Sequence, residues 1–200
     1  MCLEADLPDL RVTVADPWTD PPELLAANPT GRVPTLVLPE TGQVIVESIL
    51  IAEFASQAPS APTKLWFCNR HERHVAGLAL GAIDAAAAVI AGRMALSGEP
   101  ADPEFDQTSI GIRRHDAIAR SLLAMDQLLG CQGLSRPSFA AFLPAIAIDY
   151  LALRFGSRHC ETPLPHLGNL VNDMSPRASM RRTRPLANQS SFPRPATHHS

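Results

Sequence analysis

The stretch NPTGRVPTLVLPETGQVIVESILIAEFAS, residues 28–56, decides how the rest of the chain is read. Its β-branched and apolar runs are separated by turn residues. They predict a strand over 34–38, a turn at 40–43, a second strand over 43–47 and a helix over 48–56, so that the two strands form a hairpin. Two points carry chemistry. Pro34 opens the first strand, where a missing ladder donor is tolerated. An X–Pro bond is also the one peptide bond that adopts cis at modest cost, and a cis bond there would leave the Val33 main chain facing outward, free to pair with an extended peptide. Glu47 and Ser48 stand at the strand-to-helix junction. Ser48 is a good N-cap residue, and the first helical N–H groups attract a carboxylate, while Glu47 beside it suits an ammonium. Taken singly, each point has a plainer account: a trans proline at a strand start, and an N-cap next to a solvated acid.

Upstream, residues 2–7 read as the last turn or two of a helix stopped by Pro8, and 11–15 as a short strand. Pro21 and Pro22 start a short helix that Asn28-Pro29 ends. Downstream, residues 57–63 (QAPSAPT) form a Pro/Ser linker, and the pattern then becomes purely helical. Helices are predicted over 69–96, 102–129, 138–155 and 164–173, with a short turn at 179–182. Pro144 falls inside the third of these, which predicts a weak N-terminus or a kink.

Composition excludes several classes. The formal charge is −3 and charged residues make up 18%, so neither a nucleic-acid partner nor a polyanion is indicated. The cysteines Cys2, Cys68, Cys131 and Cys160 form no CxxC pair and no zinc spacing, and no metal site is predicted. His71 and His74 lack a third ligand. Four ordinary thiols and the absence of a leader pattern predict a cytoplasmic protein. The longest apolar run, 85–91, is too short to span a bilayer, so no membrane partner is expected.

The order N-P-T-G-R-V-P-T-L, hairpin, E-S-I-L-I-A-E-F resembles the second half of the thioredoxin-like domain of cytosolic glutathione transferases of bacterial type. Residues 149–155 (DYLALRF) and 175–185 (SPRASMRRTRP) are similar to the buried central helix and the closing segment of the same family. The resemblance implies an α+β thioredoxin-like domain over 1–57, a linker over 58–68 and an all-α helical-bundle domain over 69–186; the polar, Pro- and His-containing composition of 187–200 predicts a disordered tail. It implies that Val33 and Pro34 clamp the cysteinyl main chain of glutathione, that Glu47 and Ser48 hold its γ-glutamyl end, and that Arg32 approaches its glycyl carboxylate. It also implies glutathione as co-substrate, a small hydrophobic electrophile as second substrate, and a homodimer; the Ala-rich run 84–91 suits either the dimer contact or ordinary core packing.

In the register of that resemblance, the family's first strand, most of its first helix and the catalytic Ser, Tyr or Cys between them are expected to fall outside these residues, so no catalytic residue is assigned. Cys2 reads as a spectator thiol. The missing strand belongs between 11–15 and 34–38, which predicts that 11–15 pairs poorly or is displaced. The central helix lacks the acid of its family capping box. For these residues the expectation is weak glutathione binding or none, without detectable conjugation. A non-catalytic adaptor or truncated relic is the alternative function.

Overall fold

The computed structural model describes residues 1–7, 9–62, 65–156 and 162–184. Pro8, Cys160, Pro185 and the tail expected over 187–200 lie outside the described residues. The chain divides into two units, Met1–Trp66 and Phe67–Ser200.

In the first unit, residues 2–6 form a turn in which the Ala5 N–H donates to the Met1 carbonyl at 2.9 Å, not a helix. Residues 10–16 belong to no helix or strand, and Val12 and Val14 are 81% and 89% exposed. The strand expected at 11–15 is therefore absent, in keeping with the expectation that this segment would pair poorly. A 3-10 turn, Pro17–Thr19, leads to α1, Pro22–Ala27. The sheet has two antiparallel strands, β1 (Thr35–Val37) and β2 (Val44–Val46), in the register Leu36 opposite Ile45. Both are shorter than predicted, because Pro34 has no N–H to donate and Glu47 turns out of the strand. Gly42, at φ +67°, closes the hairpin, with its N–H donating to the Leu38 carbonyl at 2.8 Å. Helix α2, Ser48–Ser56, buries Ile51, Ala52 and Ala55, and Ala5, Leu24 and Leu65 complete the small core.

The second unit is built on α3, Arg70–Ser97. At 28 residues it is long and apolar enough, by length and composition, to cross a bilayer, so the argument from the short run 85–91 does not hold. Its row of small residues, Ala79, Ala82, Ala86 and Val89, is instead buried, where α3 packs on α4 (Ser109–Cys131) and α5 (Phe139–Phe155). The helix expected over 102–129 is two elements. Asp102 caps a 3-10 turn, Pro103–Gln107, and Thr108 then caps α4 afresh, its Oγ1 accepting from the Gly111 N–H at 3.0 Å. Glycine is required at 111, since a Cβ there would stand 2.2 Å from the Phe105 carbonyl oxygen.

Helix α5 runs without a break through Pro144, which is fully buried. The Ser138 Oγ accepts from the Ala141 N–H at 3.3 Å, so the helix keeps its cap without the family's acid. Helices α6 (Pro165–Met174) and α7 (Ala178–Thr183) complete the unit. The cap of α6 comes from α4: Asp126 Oδ1 accepts from the Leu167 N–H at 2.8 Å.

Two acids, the buried Glu72 and the half-buried Asp106, hold this unit together. Asp106 takes both Nε and Nη2 of Arg93, and His115 Nε2 lies 3.0 Å from its Oδ2. Burial acts to raise the Asp106 carboxyl, but the bonds and charge of Arg93, with His115, outweigh it and hold the pKa below the ordinary carboxylate range. Burial likewise acts to raise Glu72, and hydrogen bonds from Cys68 and Ser135 outweigh it, again lowering the pKa. Folded-state pKa values below the unfolded ones stabilise the protein above the unfolded value, about 4, and that stability is lost as pH falls through the folded values. The melting temperature is expected to drop steeply below about pH 4. Asp106→Asn and Glu72→Gln, each less stable at neutral pH, should show a flatter acid limb. An acid limb unchanged in both would exclude this origin.

Candidate functional site

The loop between α1 and β1 carries the first half of the site. Asn28 ends α1 because Pro29 forces it to extended backbone, φ −136° and ψ 99°. The chain then turns, with the Gly31 N–H donating to the Asn28 carbonyl at 2.9 Å. Gly31 sits at φ +66°, a conformation that favours glycine. The Val33–Pro34 peptide bond is cis, and Val33 is 46% exposed. Among the described residues, no hydrogen bond reaches the Val33 N–H or carbonyl. The main chain beside the sheet is thus open to an added extended segment.

The second half is the junction of β2 and α2. Ser48 is the first helical residue, and the N-cap position falls on Glu47, one residue earlier than the sequence implies. Glu47 has φ +71° and ψ 127°, and its side chain makes no capping bond. A non-glycine residue in that region costs about 1–3 kcal/mol and persists where surrounding structure imposes it, commonly at ligand sites. Ser48 is exposed at the head of a nine-residue helix, whose first N–H groups have no intrahelical acceptor.

Arg32 joins the halves. Its Nη1 donates to Glu47 Oε1 at 2.9 Å, with side chains 69% and 49% exposed. The sequence reading places Arg32 at a glycyl carboxylate and Glu47 at an ammonium; in this structure they face each other. An ion pair so exposed is worth about 0–1 kcal/mol, so either partner is available to a competing charge. Arg32, Val33, Pro34, Glu47 and Ser48 thus lie along one stretch of the first unit and present a free main-chain strand edge, a carboxylate, a guanidinium, a hydroxyl and helix-terminal N–H groups. That set matches a short peptide bearing both an ammonium and carboxylates.

No group of three or more His, Cys, Asp or Glu suited to a metal occurs among the described residues. Sequence reasoning gave Asn28 no role beyond ending α1. It is buried, at 2% exposure, and all its side-chain bonds fall within this loop. The signal was legible in principle, since Asn before Pro-x-Gly invites a side-chain-to-backbone turn.

The first unit is thus a two-stranded thioredoxin-like piece with an open main-chain edge at Val33, followed by an all-helical unit. Comparison with known proteins gives the class its name. The model of the glutathione S-transferase N-terminal domain matches residues 1–58. A glutathione S-transferase from Methylobacillus flagellatus, solved with glutathione bound, is 25% identical with TM-score 0.74, covering 92% of this chain and 91% of that one. A glutathione transferase family member from Pseudomonas fluorescens, with bound glutathione, is 26% identical with TM-score 0.68, covering 88% and 85%. The glutathione S-transferase of Methylobacterium radiotolerans, in complex with glutathione sulfonate, shares the fold at 22% identity, with TM-score 0.73 and coverage of 92% and 85%. No curated protein matches by sequence. Residues 1–58 thus match the glutathione S-transferase N-terminal domain, and the chain shares the fold of solved glutathione transferases.

Proposed function

We propose that this chain binds glutathione along Val33 and Pro34, with the γ-glutamyl end at Glu47 and Ser48 and the glycyl carboxylate toward Arg32. The observation that carries this is the unpaired Val33 main chain set beside the helix-terminal N–H groups of α2. The cysteinyl main chain of the peptide would add to it as a short strand, an association that gains hydrogen bonds without ordering new side chains. The α-carboxylate would sit on Ser48 and the first turn of α2, and the ammonium on Glu47 in exchange for Arg32. That two of the relatives were solved with glutathione bound supports the same ligand here.

Conjugation to a small hydrophobic electrophile is the reaction the family implies, and it requires a group that lowers the thiol pKa. A non-catalytic binding role is favoured by one observation. In the first unit Ser56 Oγ donates to the Glu53 carbonyl and Ser60 Oγ to the Ala5 carbonyl, while Ser48 is committed to the γ-glutamyl end. Neither of the first two hydroxyls is directed to a ligand thiol. For the assembly we propose a homodimer through the exposed small-residue face of α3, where Gly77, Gly81, Ala87 and Ala91 allow close helix approach. Cys2, Cys68 and Cys131 form no disulfide, which supports a reducing, cytoplasmic setting.

Titration calorimetry of the full chain with glutathione tests the binding. Saturable binding is expected, weakened about tenfold or more by Ser48→Ala together with Glu47→Gln. A chain that takes up no glutathione, or a double variant that binds as well as the parent, would refute this site. Chloronitrobenzene conjugation and light scattering on the same samples separate the enzyme from the binding role and give the subunit number.

A further inference from the structure

We infer that Asn28 is a positioning residue for glutathione: its side chain fixes the loop that presents the Val33 main chain. The inference rests on the reading of Val33 as the peptide clamp.

Asn28 is 2% exposed, and a buried polar side chain is costly unless its bonds are made. Here they are made on both sides of the amide. Nδ2 donates to the Arg32 carbonyl at 2.9 Å and to Thr35 Oγ1 at 3.3 Å. Oδ1 accepts from the Thr30 N–H at 3.1 Å and from Thr30 Oγ1 at 2.8 Å. The Asn28 main chain is bound as well, its N–H to the Leu24 carbonyl at 2.7 Å and its carbonyl to the Gly31 N–H at 2.9 Å. Thr35 Oγ1 in turn donates to the Arg32 carbonyl at 3.0 Å.

One side chain therefore gathers residues 30, 32 and 35 around itself, and Val33 lies between the two outer anchors on the Arg32 side. Because the Arg32 carbonyl is consumed by Asn28 and Thr35, the peptide unit joining Arg32 to Val33 is held by its oxygen. Its N–H, which belongs to Val33, is left pointing away from those bonds and unpaired. The same anchor fixes the root of the Arg32 side chain, whose Nη1 reaches Glu47. Asn28 thereby sets the spacing between the clamp and the γ-glutamyl end without touching the ligand. The geometry selects asparagine: it needs a donor toward Arg32 and Thr35 and an acceptor toward Thr30 from one short amide. Aspartate has the shape but only acceptors, and it would set an anionic oxygen against the Arg32 carbonyl.

The test is Asn28→Asp in the full chain, read by calorimetry with glutathione and by amide chemical shifts. Glutathione binding is expected to weaken about tenfold. The ligand-induced shift at the Val33 amide should be lost while that at the Ser48 amide persists, a split that general destabilisation would not produce. Thr35→Val, which removes one of the two bonds to the Arg32 carbonyl, should give a smaller loss of the same pattern and serves if Asn28→Asp does not fold. Unchanged affinity in a folded Asn28→Asp, or equal loss of the Val33 and Ser48 shifts in both variants, would overturn the inference while leaving the glutathione site standing. Failure of the unaltered chain to bind glutathione would overturn the site itself, and the inference with it.

Discussion

Arg93→Ala is expected to destabilise the helical unit by about 3–5 kcal/mol, because it empties a buried site and strands the half-buried carboxylate of Asp106. Arg93 is 7% exposed and donates two hydrogen bonds to Asp106, one of them at 2.8 Å from Nε, and a third from Nη1 to the Pro100 carbonyl at 3.1 Å. Its guanidinium also lies over the Phe155 ring, 5.3 Å from the centroid. The cluster therefore ties α3, the 3-10 turn before α4, and the end of α5, with His115 of α4 edge-on to the same ring at 5.3 Å. Truncation leaves Asp106 without its main partner and opens the space over Phe155. A fall in melting temperature of about 10–20 °C should follow. Arg93→Lys keeps the charge but not the two-pronged geometry, and should fall between. Replacing both partners, Arg93→Met with Asp106→Leu, should recover most of the loss, since a buried pair contributes far less than half of a pair costs. A single variant as stable as the parent would show that the pair holds nothing.

Glu72→Ala is expected to cost about 3 kcal/mol, since it removes a buried side chain and leaves two main-chain donors without their acceptor. Glu72 is 1% exposed. Its Oε2 accepts from the Cys68 N–H at 2.6 Å and its Oε1 from the Ser135 N–H at 3.0 Å, so one carboxylate joins the segment leading into α3 to the loop leading into α5. Its own N–H is capped by Asn69 Oδ1 at 2.9 Å. Glu72→Gln keeps an oxygen for one of the two donors and should lose roughly half as much. Chemical denaturation with unchanged slope checks both values. Hydrogen exchange should quicken first at Cys68 and Ser135. Loss spread evenly over the unit would contradict a local anchor.

The hairpin and α2 were legible because each has a local cause in the sequence: Gly42 for the turn, Pro34 and Glu47 for the strand limits, and alternating Val and Ile between them. The long α3 was legible from Asn69 at its start and Gly98 at its end. What escaped depends on partners remote in sequence. The break between Pro103–Gln107 and α4 exists because Phe105 and Asp106 pack against Gly92 and Arg93 of α3, and nothing in the local periodicity reveals that. Residues 11–15 read as a strand by composition, yet a strand needs a neighbour, and this sheet offers them none. Pro144 predicted a kink, but a helix buried from Phe139 to Ala145 and capped by Ser138 tolerates it.

In the proposed site, Val33, Pro34, Glu47 and Ser48 are proposed from order and spacing. The positive φ of Glu47, the Arg32–Glu47 pair and the anchoring by Asn28 became visible only with the backbone in place. Glu72 was legible in part. Asn69-x-x-Glu72 has the form of a capping box, but the carboxylate turns to Cys68 and Ser135.

The account stands on glutathione lying along residues 32–34 and 47–48. Amide chemical-shift titration of the full chain with glutathione, carried to about 10 mM so that even millimolar affinity registers, tests this most directly. Shifts concentrated at Val33, Glu47, Ser48 and Ile49, saturating together with one dissociation constant, are the predicted result. Shifts absent at that concentration, or centred on residues outside this stretch, would contradict it.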